Sequence, residues 1–134
     1  MILQQHIPYA ATISRSLDFC VTMLSRSNVL YPFALLSIDN DLHSVFVPSN
    51  TQHARGGMIE DLQAQIDERK LFAENAISIL VYSATVTHPN RKESDALVLT
   101  ITDTQGHNTV TIYPYKQIET GIKIYTPYTC DFSD

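Results

Sequence analysis

Glycine, cysteine and basic residues are all scarce: four Gly, two Cys and nine Lys plus Arg in 134 residues. Each scarcity removes a class of function. Phosphate cradles need several glycines ahead of a helix, and the chain has neither a GxGxxG pattern nor a Walker lysine. Cys20 and Cys130 lie near opposite ends and outside any CxxC pair, so they form no disulfide framework. A single bridge between them stays open, but without an export signal two buried or half-buried thiols are expected. Fourteen acidic residues against nine basic ones give a formal net charge of −5. That balance argues against a partner held by phosphate neutralisation, so no nucleic acid is expected. The longest apolar stretch, Ile77 to Tyr82, is broken by Ser78 and is far too short to span a bilayer. Met1 to His6 has no cationic region and no apolar run of signal-peptide length. The expectation is a cytoplasmic chain with no membrane association.

The remaining composition is that of one small domain. Charged residues make up 17%, below the globular average of about 25%, while the hydrophobic share of 44% is ordinary. A chain of this length buries roughly 65–70% of its unfolded surface and needs no metal or disulfide staple. One domain over residues 1–134 is expected, with a core at about 9–115 and a C-terminal extension, 116–134, packing on it.

Periodicity divides the core. Ile13, Leu17, Cys20, Val21 and Leu24 follow helical spacing, with Arg15, Ser16, Asp18, Thr22 and Arg26 mostly on the other side. This predicts a helix over about 9–27, with Pro8 in its first turn, where the missing N–H is harmless. Tyr31 to Ile38 and Val45 to Pro48 are short apolar runs flanking Asp39-Asn40-Asp41, the pattern of a β-hairpin. A loop closing on Gly56-Gly57 leads into a second helix over about 56–73. Its Glu60 and Asp61 are read in the first turn and its Arg69 and Lys70 in the last. Ala76 to Thr87 is apolar on both parities, as in a strand covered on both faces. Ala96 to Thr102 and Thr109 to Tyr113 alternate, and Pro114 is read as the stop. The order α-ββ-α-βββ predicts an α+β domain with a five-stranded antiparallel sheet and helices packed on it. This succession resembles the profilin-like and roadblock-like layouts, which host scaffolds, ligand sensors and adaptors alike.

Tyr31-Pro32-Phe33, the acidic second helix, Leu80 to Thr87, Ser94-Asp95-Ala96-Leu97 and Val110 to Tyr115 together resemble a family of small bacterial proteins of uncharacterised function. The resemblance covers about residues 31–115. It implies the fold and a single domain, and no activity, cofactor or site residue follows from it.

Candidate chemistry is sparse. None of the five histidines, His6, His43, His53, His88 and His107, pairs at HxH, HxxxH or HExxH spacing. Asp39, Asp41 and His43 could supply metal ligands from a hairpin turn, although a polar turn bonded to its own backbone is the plainer reading. Neither cysteine has a base beside it. The cluster Asp67-Glu68-Arg69-Lys70 reads as the solvated end of an amphipathic helix. Asp95 reads either as an acid–base group or as a residue ordering the 88–94 loop. Arg55, Gly56 and Gly57 at the start of the second helix could bind a small anion, or could simply let the helix begin. Tyr113, Tyr115, Tyr125 and Tyr128 crowd the C-terminal quarter, where tyrosine suits a contact surface but equally suits the domain's own core.

Three function classes follow. The leading one is a non-catalytic interaction or scaffold module that associates with itself or with a protein partner. The second is a small-molecule sensor, and the third an enzyme with a site assembled from loops around His43, His88 and Asp95. No cofactor is implied. The last three strands take their polar positions from Ser, Thr and Tyr rather than from charges. Such a face is easier to desolvate against a partner.

Overall fold

The computed structural model describes residues 2–27, 29–39, 41–46, 55–71, 75–87 and 90–131, and for residues 2–9, 55–56, 130 and 131 it describes the backbone alone. The elements run α1 (Ile2–Ser27), β1 (Phe33–Ile38), β2 (Asp41–Phe46), α2 (Arg55–Lys70), β3 (Ala76–Thr87), β4 (Glu93–Thr102), β5 (Asn108–Ile118), β6 (Gly121–Ile124) and β7 (Tyr128–Asp131). All strands pair antiparallel in the order β2-β1-β3-β4-β5-β6, with β7 also on β5. The fold is α+β as the sequence predicts, with seven strands in place of five.

Strands β1 and β3 form the middle. Phe33 lies opposite Val81 and Ile38 opposite Ala76, and alternation sends their side chains to two cores. On one face Phe33, Leu35, Ile79, Val81, Leu97 and Leu99 pack with Cys20 and Leu24 of α1. On the other Ala34, Leu36, Val45 and Leu80 pack with Leu62 and Ile66 of α2. Burial on both faces is why β1 and β3 carry apolar residues at both parities. The hairpin turn fixes this register. Asp39 takes a left-handed φ of 50°, which a short polar side chain tolerates. Its N–H donates to the Asn75 carbonyl at 2.9 Å, and the Asn75 N–H donates back to Asp39 Oδ1 at 3.4 Å. The turn is thereby tied to the residue just before β3. Across α1, β1 and β2, Phe19, Phe33 and Phe46 form a ring cluster with centroids 5.6 to 5.8 Å apart, each pair adding about 0.5–1.5 kcal/mol beyond its buried area.

Several boundaries differ from the sequence reading, each for a physical reason. Helix α1 begins at Ile2, so Pro8 falls inside it rather than in the first turn. Leu3, Gln4 and Gln5 are good helix formers, and an interior proline removes one N–H donor and can kink a helix without ending it. Ser16, expected on the solvated side, is fully buried, and Thr12 is 4% exposed. With Cys20 and Leu24 they form the i, i+4 ridge nearest the sheet, and Ser16 Oγ donates to the Thr12 carbonyl at 2.9 Å. That bond satisfies the hydroxyl and allows its burial. Helix α2 takes in Arg55 to Gly57 and stops at Lys70, so Glu60 and Asp61 lie beyond its first turn. Strand β2 begins at Asp41, so Asp41 and His43 belong to a strand and not to the turn.

The largest difference is at Pro114. The expectation ended a strand there, yet β5 runs on to Ile118. The Pro114 carbonyl accepts from the Tyr125 N–H at 2.8 Å, so its backbone polar positions face outward, away from β4. In an antiparallel strand the N and O of one residue point to the same side. The missing N–H therefore removes no bond to β4. It falls where the outer partner is interrupted, between β6 on the second half of β5 and β7 on the first. The presumed C-terminal extension is thus largely part of the sheet.

Burial pushes the Cys20 thiol up to about 12, against a weaker opposing backbone hydrogen bond. In a chain carrying Cys130→Ser, Cys20 should resist alkylation at pH 8 until the protein unfolds, and fast native labelling would contradict its placement. Ser16→Leu should lower stability by about 1–3 kcal/mol through overpacking. A Ser16 facing solvent would leave the urea midpoint unchanged or raised, since Leu is the better helix former.

Candidate functional site

Helix α2 lies over β1, β2 and β3. Its buried residues Leu62 and Ile66 turn one flank, Gln63, Asp67 and Lys70, toward the neighbouring strands, because positions i, i+4 and i+7 share a helix face. Beyond β3, the same sheet face presents Thr100 and Thr102 of β4 and Asn108 of β5. Between helix flank and strands lies a cleft of about 330 Å³ lined by these residues and Gly106.

The polar groups of the cleft are ordered. Lys70 Nζ donates to Ser78 Oγ at 2.8 Å, Gln63 Nε2 to Asp67 Oδ1 at 3.0 Å, and Thr102 Oγ1 to Asn108 Oδ1 at 2.6 Å. Ser78 is 3% exposed, so the ammonium reaches into the protein. Burial lowers the pKa of Lys70, while the carboxylates of Asp67 and Asp103 pull it back toward its ordinary value. Asp103 shapes the end of the cleft. Its Oδ1 accepts the N–H groups of Gln105 and His107, each at 2.9 Å, and Oδ2 stands 3.4 Å from His107 Nδ1. Partial burial would raise this carboxyl, but those two N–H bonds and the imidazole outweigh it and lower its pKa. Gly106 closes the loop at φ +85° with space around its Cα, a conformation that strains any other residue.

The residues singled out from sequence lie elsewhere. Arg55, Gly56 and Gly57 form the first turn of α2, not a loop ahead of it. They are ~20–22 Å from Lys70 along the helix axis at 1.5 Å per residue. Tyr113 and Tyr115 pack against the α1-side core, and burial raises the Tyr113 phenol pKa. Tyr125 and Tyr128 are 41% and 40% exposed. The four tyrosines therefore do not share one surface. His43 is exposed on β2 and level with Thr102 three strands away, by the pairs His43–Leu36, Leu36–Ser78 and Ser78–Thr102. Asp95 is seven residues along β4 from Thr102 and on the opposite face, which places it roughly 25 Å from His43. His88 lies outside the described residues. Among the described residues no group of three or more His, Cys, Asp and Glu could hold a metal, and no helix is long and apolar enough to cross a membrane.

Sequence reading missed Gln63, Thr100, Thr102 and Asn108, and took Asp67 and Lys70 for part of a solvated helix end, whereas both line the cleft. The signal was present in two parts. The three helix residues adjoin the Leu62–Ile66 stripe, and Thr100 and Thr102 alternate with Leu99 and Ile101 along a strand.

Asp103→Ala should lower stability by about 1 kcal/mol at neutral pH, the bonds being partly open to water. Folding lowers this carboxyl below its ordinary 3.8, so its contribution is present above that value and is lost as pH falls through the lowered one. Urea midpoints of wild type and variant should therefore converge below about pH 4; a constant gap would contradict the role of the charge.

Compared with protein-family models, with curated proteins and with solved structures, the chain finds no match in any of the three.

Proposed function

We propose that this chain is a protein-interaction module that associates with a second copy of itself through the sheet face carrying α2. The observation that carries the reading is the uneven covering of that face. Helix α2 packs on β1, β2 and β3, and on that face no described helix packs on β5, β6 or β7; α1 meets β6 from the other face. Val98 is buried between Tyr82 and Ile112. Outside it Pro114 is half-buried, and Ile118, Tyr125 and Tyr128 are exposed. This outer strip is basic as well as apolar. Lys116 and Lys123 are directly opposite each other, an unfavourable pairing within one chain, and Lys123 Nζ lies 5.2 Å from the centre of the Tyr125 ring. Among the described residues no carboxylate forms an ion pair with either lysine.

The outward ridge of α2 has the opposite charge. Glu60, Asp61 and Glu68 are exposed, with Arg69 beside them. Ridge and strip stand on the same face of the sheet. A two-fold axis between them lays α2 of each copy on the β5–β6–β7 strip of the other, so that acid meets base twice in one isologous contact. Six strands, each ~4.8 Å wide, by a helix of ~24 Å make a face of roughly 700 Å² per copy, close to the ~800 Å² of a standard interface. A cytoplasmic location belongs to the same reading.

Sedimentation equilibrium tests it. The wild type should approach twice the 15.1 kDa chain mass at low salt and dissociate as salt rises, because exposed charges are screened. Lys116→Glu with Lys123→Glu should yield a folded monomer. A wild type that stays monomeric at high concentration, or a double variant that still dimerises, would overturn the reading.

A further inference from the structure

We infer that the cleft between α2 and strands β4 and β5 is a binding site for a small zwitterion, carrying a carboxylate and an ammonium a few ångströms apart, of which a free α-amino acid is the simplest. The inference rests on the single chain and not on self-association.

The cleft holds two opposite charges that do not satisfy each other. Asp67 and Lys70 are three positions apart on one helix flank, a spacing at which ion pairs commonly form. No ion pair joins them among the described residues; Lys70 Nζ turns to Ser78 Oγ instead. The ammonium keeps two further N–H donors, since a lysine has three. Asp67 Oδ1 is engaged by Gln63, so Oδ2 is left to accept. The amides divide in the same way. Asn108 Oδ1 is used by Thr102, which leaves the Asn108 Nδ2 donors, and Gln63 gives a Nε2 hydrogen to Asp67, which leaves its Oε1 as an acceptor.

The spare hydrogen-bonding capacity therefore has two poles. Lys70 and the Asn108 amide can donate to a carboxylate, with the Thr100 hydroxyl beside them. Asp67 Oδ2 and Gln63 Oε1 can accept from an ammonium. A simple anion would satisfy the first pole while facing the Asp67 carboxylate, and a simple amine would satisfy the second while facing Lys70. Only a ligand with both charges balances the site. The volume of about 330 Å³ is at the small end of ligand pockets, which span ~300–1,000 Å³, and so suits a molecule of amino-acid size. The half-buried position of Lys70, which lowers its pKa, also makes a paired charge worth more there than at the surface.

The test uses the full chain, titrated with the free amino acids one at a time and with acetate and methylamine at matched ionic strength. Thermal unfolding and amide NMR shifts are the readouts. At least one amino acid should raise the midpoint by a few degrees and move the Gly106 and Asn108 amide signals, with acetate and methylamine doing neither. Lys70→Met and Asp67→Asn should each weaken that binding at least tenfold while keeping a cooperative unfolding transition. The same titration on the Lys116→Glu, Lys123→Glu chain should still show binding, since every group of the cleft comes from one chain; failure to self-associate would thus not read as failure of the site. No response to any amino acid would overturn the inference, as would acetate binding as well as the amino acid or Asp67→Asn binding it unchanged.

Discussion

The pairing of Phe33–Ile38 with Ala76–Val81 is the constraint on which the other elements depend. It joins an N-terminal hairpin to a C-terminal meander across an intervening helix, and so carries the entropy cost of closing the loop that contains α2. Each residue placed in it serves one of two cores, Phe33 and Leu35 under α1 and Ala34 and Leu36 under α2. Neither helix has a complete apolar partner without both strands, and the strands would expose a full apolar face without either helix. The Asp39–Asn75 link at the end of this ladder sets the register. A slip by one residue would exchange the two cores, sending Phe33 toward α2 and Ala34 toward α1.

How much of this could be read from the sequence varies with how local the cause is. Ala76 to Thr87 reads as a doubly covered strand because its apolar residues occupy both parities, and the hairpin reads from its Asp-Asn turn. The second helix announces itself by Leu62 and Ile66 and by its terminal Arg69 and Lys70. Pro114 misleads because the tolerance of a proline depends on which neighbour its nitrogen faces, a property of the sheet and not of the residue. Ser16 misleads for a related reason. A hydroxyl bonded to its own helix counts as polar by composition yet packs as a small apolar group.

The cleft was harder to foresee than the fold. Asp67 and Lys70 look the same in sequence whether their side of the helix faces water or a strand, and only the width of the sheet decides. The hydroxyls of Thr100 and Thr102 acquire meaning once α2 stops short of covering β4. What the structure adds is therefore adjacency. Charges spaced for a helix surface meet hydroxyls spaced for a strand, at the step where the helix layer ends.

The divided outer edge of β5 also governs how the sheet terminates. On that rim the covering strand is split into two four-residue pieces, β6 and β7, with Pro127 in the gap between them. On the other rim β2 has only six residues, and Asp41, His43 and Ser44 stand exposed along it. Among the described residues neither rim offers a long, flat, apolar template for a further strand. Copies of this chain are thereby discouraged from joining rim to rim into an open-ended ribbon, and the faces are left as the surfaces through which a closed assembly of fixed size can form.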